Sequence, residues 1–387
     1  MMDAVIVQAK RTAIGKANKG TLKDTRPDVL ASLLLKKMLA KSKIPLTDFK
    51  DIAVGCAFPE GAQGFNIARV ISQISGLRDE VAGVTVNRFC ASGLESIKNI
   101  AHSISLNEID VGIAGGVESM TAVPMGGYKF SAASEIFENK SDLYINMGIT
   151  AENIAKKFNI SREEQDKHAL ESHQRACLAI KSKLFAEEIE SLNITVYDKH
   201  NKKTVVFDVD EGPRYDSSIE SLEKLRPSFK TSGTVTAGNS SQLSDGAAFV
   251  FMTNESYAKK NNLDCIAYFR DFVVVGVQPD LMGIGPVSAI NTLLKRNNLN
   301  INDIGVFEIN EAFSSQFIYC IKELGIDKTK VNPLGGAVAL GHPLGCTGTR
   351  QIVTLLHEMK RKNIRYGICS MCVGGGMGAA ALIENYI

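Results

Sequence analysis

Three stretches of this 387-residue chain set a reactive side chain among glycines or other small residues. In Asn87-Arg88-Phe89-Cys90-Ala91-Ser92-Gly93-Leu94, a strand-like run ends at Val86, small residues follow the cysteine, and a helical pattern begins near Gly93. A thiol at such a junction lies beside backbone N–H groups at a helix N-terminus, where the dipole favours the nucleophilic thiolate. Sharp strand-to-helix turns present nucleophiles in other folds too. Local sequence equally allows an inert core cysteine, since free Cys is among the most buried residue types.

The second stretch runs from Gly335 to Gly348, with His342 among five glycines and Pro343 fixing the chain just after it. Such a loop can hold an imidazole near a reacting centre, as base to a thiol and afterwards as a donor to an oxyanion. The other histidines, His102, His168, His173, His200 and His357, sit in helical or charged contexts and read as surface. The third stretch is Cys369-Ser370-Met371-Cys372-Val373-Gly374-Gly375-Gly376. Its C-x-x-C spacing lacks the second Cys or His pair that zinc requires, so no metal is expected. It also runs into a glycine loop and not directly into a helix, unlike a thioredoxin-type motif. The glycines fit neither a dinucleotide fingerprint nor a P-loop. What remains is a thiol at Cys372 next to exposed N–H groups, suited to proton transfer beside an oxyanion hole. In Glu308-Ile309-Asn310-Glu311-Ala312-Phe313, Asn310 could orient a water or polarise a carbonyl, and could equally cap a helix.

Elements of α/β type must position these groups. Apolar runs at 51–54, 81–86, 111–114, 205–209, 247–252, 304–309 and 366–371 read as strands. Helical patterns cover Pro27–Lys41, Gly93–Ser105, Ala151–Phe158 and Arg162–Leu184. Part of the chain repeats: residues 46–54 resemble 299–306, Val86-Asn87 recurs as Val331-Asn332, and Cys90-Ala91-Ser92-Gly93 resembles Cys346-Thr347-Gly348. Two copies of one α/β unit are expected, residues 1–118 with 246–268 and residues 269–387. Residues 119–245, rich in charge and turn residues, form an inserted loop or lid region between them.

Lys plus Arg number 44 against 42 Asp plus Glu, a net charge of +2 that gives no reason to expect nucleic acid or a membrane surface as partner. There is no run of about 18 apolar residues, and the N-terminal order of apolar and basic residues is wrong for a signal peptide. Eight scattered cysteines fit a reducing compartment, and the cytoplasm is expected.

Taken together the three loops resemble the thiolase family over essentially the whole chain. Met147-Gly148-Ile149-Thr150-Ala151-Glu152-Asn153, Leu225-Arg226-Pro227-Ser228-Phe229, the segment 234–241 and Met282-Gly283-Ile284-Gly285-Pro286 add to the likeness. The resemblance implies a duplicated five-layer αβαβα fold with an inserted loop domain over a coenzyme A site. It implies Cys90 as the acylated nucleophile, His342 as its base and Cys372 as the second acid/base thiol. Asn310 would hold a water in one oxyanion hole with His342, and N–H groups of Cys90 and Gly374 would form the other. Coenzyme A contacts carried over are Arg214, Ser221, Phe229, Ala237, Ser241, Met147 and Phe313, with Arg214 against adenine and Ser241 bonding pantetheine.

The implied reaction is CoA-dependent cleavage of 3-ketoacyl-CoA to acetyl-CoA and a shortened acyl-CoA, with CoA as co-substrate and no permanently bound cofactor. Asn87-Arg88-Phe89-Cys90 and Ile284 resemble the fatty-acid β-oxidation enzymes more than the acetoacetyl-CoA-forming type, which stays as the alternative. A ketoacyl synthase is disfavoured by Cys372, and a non-catalytic acyl-CoA or lipid carrier by the intact Cys90, His342 and Cys372. A homodimer is the minimum assembly. The short stretch between Ser119 and Met147 weighs against a tetramerisation loop, and a hydratase/dehydrogenase partner subunit stays open.

Overall fold

The computed structural model describes residues 2–198 and 201–386, so His200 lies outside the described residues. Its strands are β1 (Ala4–Arg11), β2 (Gly15–Lys16), β3 (Asp51–Gly55), β4 (Ala82–Val86), β5 (Val111–Ser119), β6 (Leu192–Asp198) and β7 (Asn201–Phe207). They continue with β8 (Ser244–Asn254), β9 (Ala267–Gly276), β10 (Val306–Ile309), β11 (Tyr366–Val373) and β12 (Met377–Asn385). The large sheet runs β10-β11-β12-β9-β1-β8-β5-β3-β4, with β2 on β8.

This ladder is narrow at one place. Strands β1 and β9 meet through two residue pairs, Val5 with Tyr268 and Ile6 with Ala267. On one side β3 and β5 are parallel, while β5–β8 and β8–β1 are antiparallel. On the other, β10 and β11 are parallel, while β11–β12 and β12–β9 are antiparallel. The same order and directions therefore occur twice. Val331, bridged in parallel to Phe307, takes the place beside β10 that β4 takes beside β3. The sequence echo of Val86-Asn87 in Val331-Asn332 thus falls at equivalent positions. Strand β9 pairs with β12 along its length, so a division at 268/269 cuts through it.

Strand alternation sorts side chains into layers. Ala248, Val250 and Met252 of β8 face a central core, while Ala247, Phe249 and Phe251 face an outer one. The central core is filled by Leu94, Ile97 and Ile100 of the Ser92–Ser105 helix and Ile352, Leu355 and Met359 of the Leu344–Lys362 helix. The Pro27–Lys41 and Ile67–Ser75 helices cover the first sheet from outside. The Gly285–Arg296 and Ser314–Leu324 helices cover the second. Five layers result, helix–sheet–helix–sheet–helix, as the sequence resemblance implied.

Between β5 and β8 the chain leaves the large sheet and forms the β6–β7 hairpin and two long helices, Met147–Lys157 and Arg162–Lys181. The second starts at a capping box, Ser161 with Glu164, which satisfies two orphan N–H groups. This insert is more regular than its turn-rich composition implies. One fully buried cation ties it to the first strand: Arg11 donates to both oxygens of Asp210 at 2.7 and 2.9 Å and to Glu188 at 2.6 Å. Arg11→Met removes the charge and leaves two buried carboxylates unpaired. We expect a loss of about 3–5 kcal/mol, read as a lowered urea midpoint. A midpoint unchanged from wild type would contradict this account of the tie.

Candidate active site

The nucleophile candidate sits on a strained elbow. Strand β4 ends at Val86, Phe89–Ala91 form one 3₁₀ turn, and the helix starts at Ser92. Phe89 has φ +43°, a left-handed conformation that costs a bulky residue roughly 1–3 kcal/mol. Local bonds hold it there: Phe89 N donates to Asn87 Oδ1 at 2.8 Å, and Ser92 Oγ donates to Phe89 O at 2.6 Å. Arg88, paired with Glu95 at 2.7 Å, anchors the flank. The elbow presses on β3 at Gly55, where a Cβ would lie 2.2 Å from the Ser92 carbonyl carbon, so only glycine fits.

The Cys90 thiol is packed by Ala57, Phe58, Met120 and Leu344, and the Gly374 backbone comes up to the same elbow, where a Cβ on Gly374 would lie 3.7 Å from Phe89 Cδ2. Burial outweighs the N–H groups and pushes its pKa up to about 12. Burial and the backbone N–H groups of the helix start thus act on the Cys90 thiol in opposite directions, and burial is the larger. Cys372, at the end of β11 opposite Gly378, is fully buried. Burial, then the neighbouring Cys90 and Cys320, hold its thiol well above the usual range. Between β11 and β12 the Gly374–Gly376 turn needs left-handed backbone at Gly375 and Gly376, φ +78° and +80°.

His342 is buried on the turn between the Ala337–Leu340 and Leu344–Lys362 helices. The glycine-rich stretch read as one loop is helical from Leu344 onward, because its small residues let this helix approach β5. At Gly116 a Cβ would lie 2.2 Å from Gly345 O. His342 N donates to Gln242 O at 3.1 Å, its Nδ1 lies 2.6 Å from Thr347 Oγ1, and its Nε2 lies 3.3 Å from Asn310 Nδ2. Burial, helped by the Arg350 charge, lowers the ring pKa to about 3. Asn310 follows directly on β10 with its N–H bonded to Ser370 O at 2.9 Å, and its Oδ1 is buried without a protein partner. That free acceptor is free to bind a water, and Asn310 caps no helix.

Of the proposed coenzyme A contacts, Met147, Phe229 and Phe313 meet in one apolar cluster with Cys372. The Phe229 and Phe313 rings are 5.9 Å apart, edge to face. Ser241 joins them through its N–H to Ala312 O at 3.0 Å, and Ala237 is exposed on the same loop. Arg214 and Ser221 lie outside this cluster. Arg214 is exposed beside a cleft lined by Leu170, Gln174, Cys177 and Tyr215. The Ser221 hydroxyl is engaged locally, donating to Ser218 O at 2.8 Å.

Of the histidines read as surface His102 is exposed, and His168, His173 and His357 need correction. His173 is buried and its Nδ1 accepts from Arg214 N at 3.1 Å. His168 stacks on Phe317 at 4.3 Å and lies 3.4 Å from Glu311, and His357 is half-buried. Glu311, passed over beside Asn310, is a buried carboxylate held down to about 2. Burial opposes that shift, and His168, Asn332 and Ser172 overcome it. Glu311 also accepts from Val338 N at 3.2 Å, bracing the segment that leads to His342. Glu118, likewise missed, accepts from Ala57 N at 2.7 Å and Gly345 N at 2.8 Å, joining both halves at the site. A carboxylate inside the otherwise apolar Val111–Ser119 strand was its sequence signal. Among the described residues no group of three or more His, Cys, Asp or Glu could hold a metal ion, and no helix is long and apolar enough to cross a membrane.

A packed thiol at Cys90, a buried imidazole at His342 and a buried second thiol at Cys372, on a duplicated α/β scaffold, are groups of the kind that thiol-dependent acyl transfer uses. The chain belongs to the thiolase family: residues 4–256 match the thiolase N-terminal domain and residues 263–385 the thiolase C-terminal domain. It is 48% identical to the 3-ketoacyl-CoA thiolase of Bacillus subtilis (strain 168), over 99% of this chain and 100% of that protein. It is likewise 48% identical to the peroxisomal 3-ketoacyl-CoA thiolase B of Mus musculus, over 99% of this chain and 91% of that one. Among solved structures, the dimeric peroxisomal thiolase of Saccharomyces cerevisiae superposes with TM-score 0.91 at 43% identity, covering 100% and 98% of the two chains. The Bacillus anthracis acetyl-CoA acetyltransferase gives TM-score 0.91 at 38% identity, covering 100% and 99%.

Proposed function

We propose that this protein is a 3-ketoacyl-CoA thiolase that cleaves 3-ketoacyl-CoA with CoA, in fatty-acid degradation. The observation that carries the reading is the meeting of the three loops: Cys90 packs against Leu344, two residues beyond His342, and Gly374, two residues beyond Cys372, faces Phe89 of the Cys90 elbow. His342 takes the Cys90 proton as the sulfur attacks the 3-keto carbon. The tetrahedral oxyanion then collapses, the bond between C2 and C3 breaks, and acetyl-CoA leaves as its enolate. Cys372 gives that enolate its proton and recovers one from incoming CoA. The CoA thiolate takes the acyl group from Cys90, and His342 returns the proton to the sulfur. Asn310 with a bound water serves one oxyanion, and N–H groups of Cys90 and Gly374 the other. Phe229, Phe313, Met147, Ala237 and Ser241 receive pantetheine, with Arg214 and Ser221 farther out toward the nucleotide end.

We place the enzyme in the cytoplasm as a homodimer, the assembly named for its yeast structural relative. Acetoacetyl-CoA synthesis is the second reading, favoured by the equal TM-score of 0.91 to the Bacillus anthracis acetyltransferase. Comparing kcat/KM for thiolysis of acetoacetyl-CoA and 3-ketooctanoyl-CoA tests the choice. A preference for the longer substrate is expected, a preference for acetoacetyl-CoA supports the second reading, and turnover of neither sinks both.

The resting charge state gives a further expectation. His342 is neutral above about pH 3 and Cys90 stays protonated below about 12, so the pair at neutral pH is thiol plus imidazole. Deprotonation then accompanies attack. Alkylation of Cys90 by iodoacetamide, followed by peptide mass spectrometry, should be nearly flat in rate from about pH 5 to about pH 8. A slope of about tenfold per pH unit would mean prior ionisation without the imidazole.

A further inference from the structure

Each ring nitrogen of His342 has one polar neighbour, and the two neighbours agree on where the ring proton sits. Thr347 Oγ1 lies 2.6 Å from Nδ1 and 3.1 Å from Pro343 O, the carbonyl four residues back on the same helical turn. A threonine hydroxyl carries one proton. With that proton given to Pro343 O, Oγ1 meets Nδ1 only as an acceptor, which requires Nδ1–H. At the other nitrogen stands the Asn310 amide at 3.3 Å, and in the orientation assigned to it, with Nδ2 facing the ring, it pairs with a lone pair on Nε2. The opposite tautomer needs two changes together: Asn310 turned to present Oδ1, and the Thr347 proton moved from Pro343 O to Nδ1.

The anchor is also rigid. Pro343 O accepts Cys346 N at 2.8 Å and Thr347 N at 3.0 Å, so it is fixed by the first turn of the helix. Thr347 is fully buried, and water cannot replace it easily. We infer that Thr347 is a positioning residue that keeps His342 as the Nδ1–H tautomer, leaving Nε2 as the basic nitrogen of the ring. The inference rests on the thiolase reading for its function, and on hydrogen-bond geometry alone for the tautomer.

The two are tested apart. Nitrogen-15 NMR of histidine-labelled wild type should show His342 with Nδ1 protonated and Nε2 bare. Thr347→Val should populate the Nε2–H form and lower kcat by about tenfold or more, short of the roughly 10²–10⁴ a whole general base supplies. Its KM for CoA should stay within about twofold, and Thr347→Ser should restore both tautomer and rate. An Nε2–H ring in wild type overturns the inference, as does a Thr347→Val enzyme with wild-type kcat. If Thr347→Val fails to fold, the wild-type and Thr347→Ser spectra still decide. Absence of thiolysis in folded wild type would instead strike the thiolase reading, with the spectrum left to judge the tautomer.

Discussion

Cys90→Ala should lose thiolysis by about 10⁴-fold or more and take up no acyl group from acetyl-CoA or 3-ketoacyl-CoA. The other cysteines are differently placed: Cys56, Cys346 and Cys369 are buried. Cys372 is enclosed by Ala151, Val235, Met282, Ala312 and Phe313, and Cys320 is buried behind the Gly283 carbonyl. Cys177 and Cys265 are partly exposed, yet neither belongs to the cluster around Leu344 and Met120 that surrounds Cys90. The substitution removes one sulfur from a cluster that keeps its other members, so folding should survive. Intact-protein mass spectrometry after incubation with acetyl-CoA reads the result: an acetyl mass shift on wild type and none on the variant. An acetyl group retained by Cys90→Ala would place the nucleophile elsewhere.

Cys372→Ala should divide the reaction. Acylation of Cys90 by acetyl-CoA needs His342 and the oxyanion donors, and should stay within about tenfold of wild type. Cleavage of a 3-ketoacyl-CoA also needs a proton for the departing enolate, and should fall by about 10²–10⁴. The Cys320 thiol is engaged, donating to Gly283 O at 3.3 Å, and the proton held by His342 is the one that the Cys90 sulfur takes back at the end of the cycle. Rapid-quench acylation beside steady-state cleavage makes the comparison. Wild-type cleavage by Cys372→Ala would mean that another group carries the proton.

Cys90, His342, Cys372 and Asn310 stood out as candidates in the sequence because each lies in or beside a turn, and for the first three the small neighbours are themselves the signal. What braces them did not. Phe89 has no composition mark of a left-handed residue; φ +43° is imposed by Asn87 and Ser92. His168 and His173 lie on a helix that reads as surface, and only the packing of Glu311 and Arg214 against it buries them. Strand β12 opens Met377-Gly378-Ala379-Ala380-Ala381, residues depleted in strands, and both its faces are covered by core. The first turns of the Leu344–Lys362 helix, rich in glycine, have poor intrinsic helix propensity and form because the seam admits only small side chains. Ser221 shows the limit of motif matching: its hydroxyl belongs to its own capping box.

The Cys90 elbow comes from the first half of the chain and the His342 turn from the second. They meet where Thr349 Oγ1 donates to Gly93 O at 2.9 Å and Gly345 N donates to Glu118. Two like units joined in this way make the kind of seam that two identical subunits make, with one difference. A symmetric pair would present the same residue twice, whereas a continuous chain lets one side specialise in sulfur and the other in imidazole. With Cys90 and His342 in the roles proposed, each unit carries part of the reaction centre, so co-expressed fragments severed between 256 and 263 should be silent apart and regain activity only on reassembly.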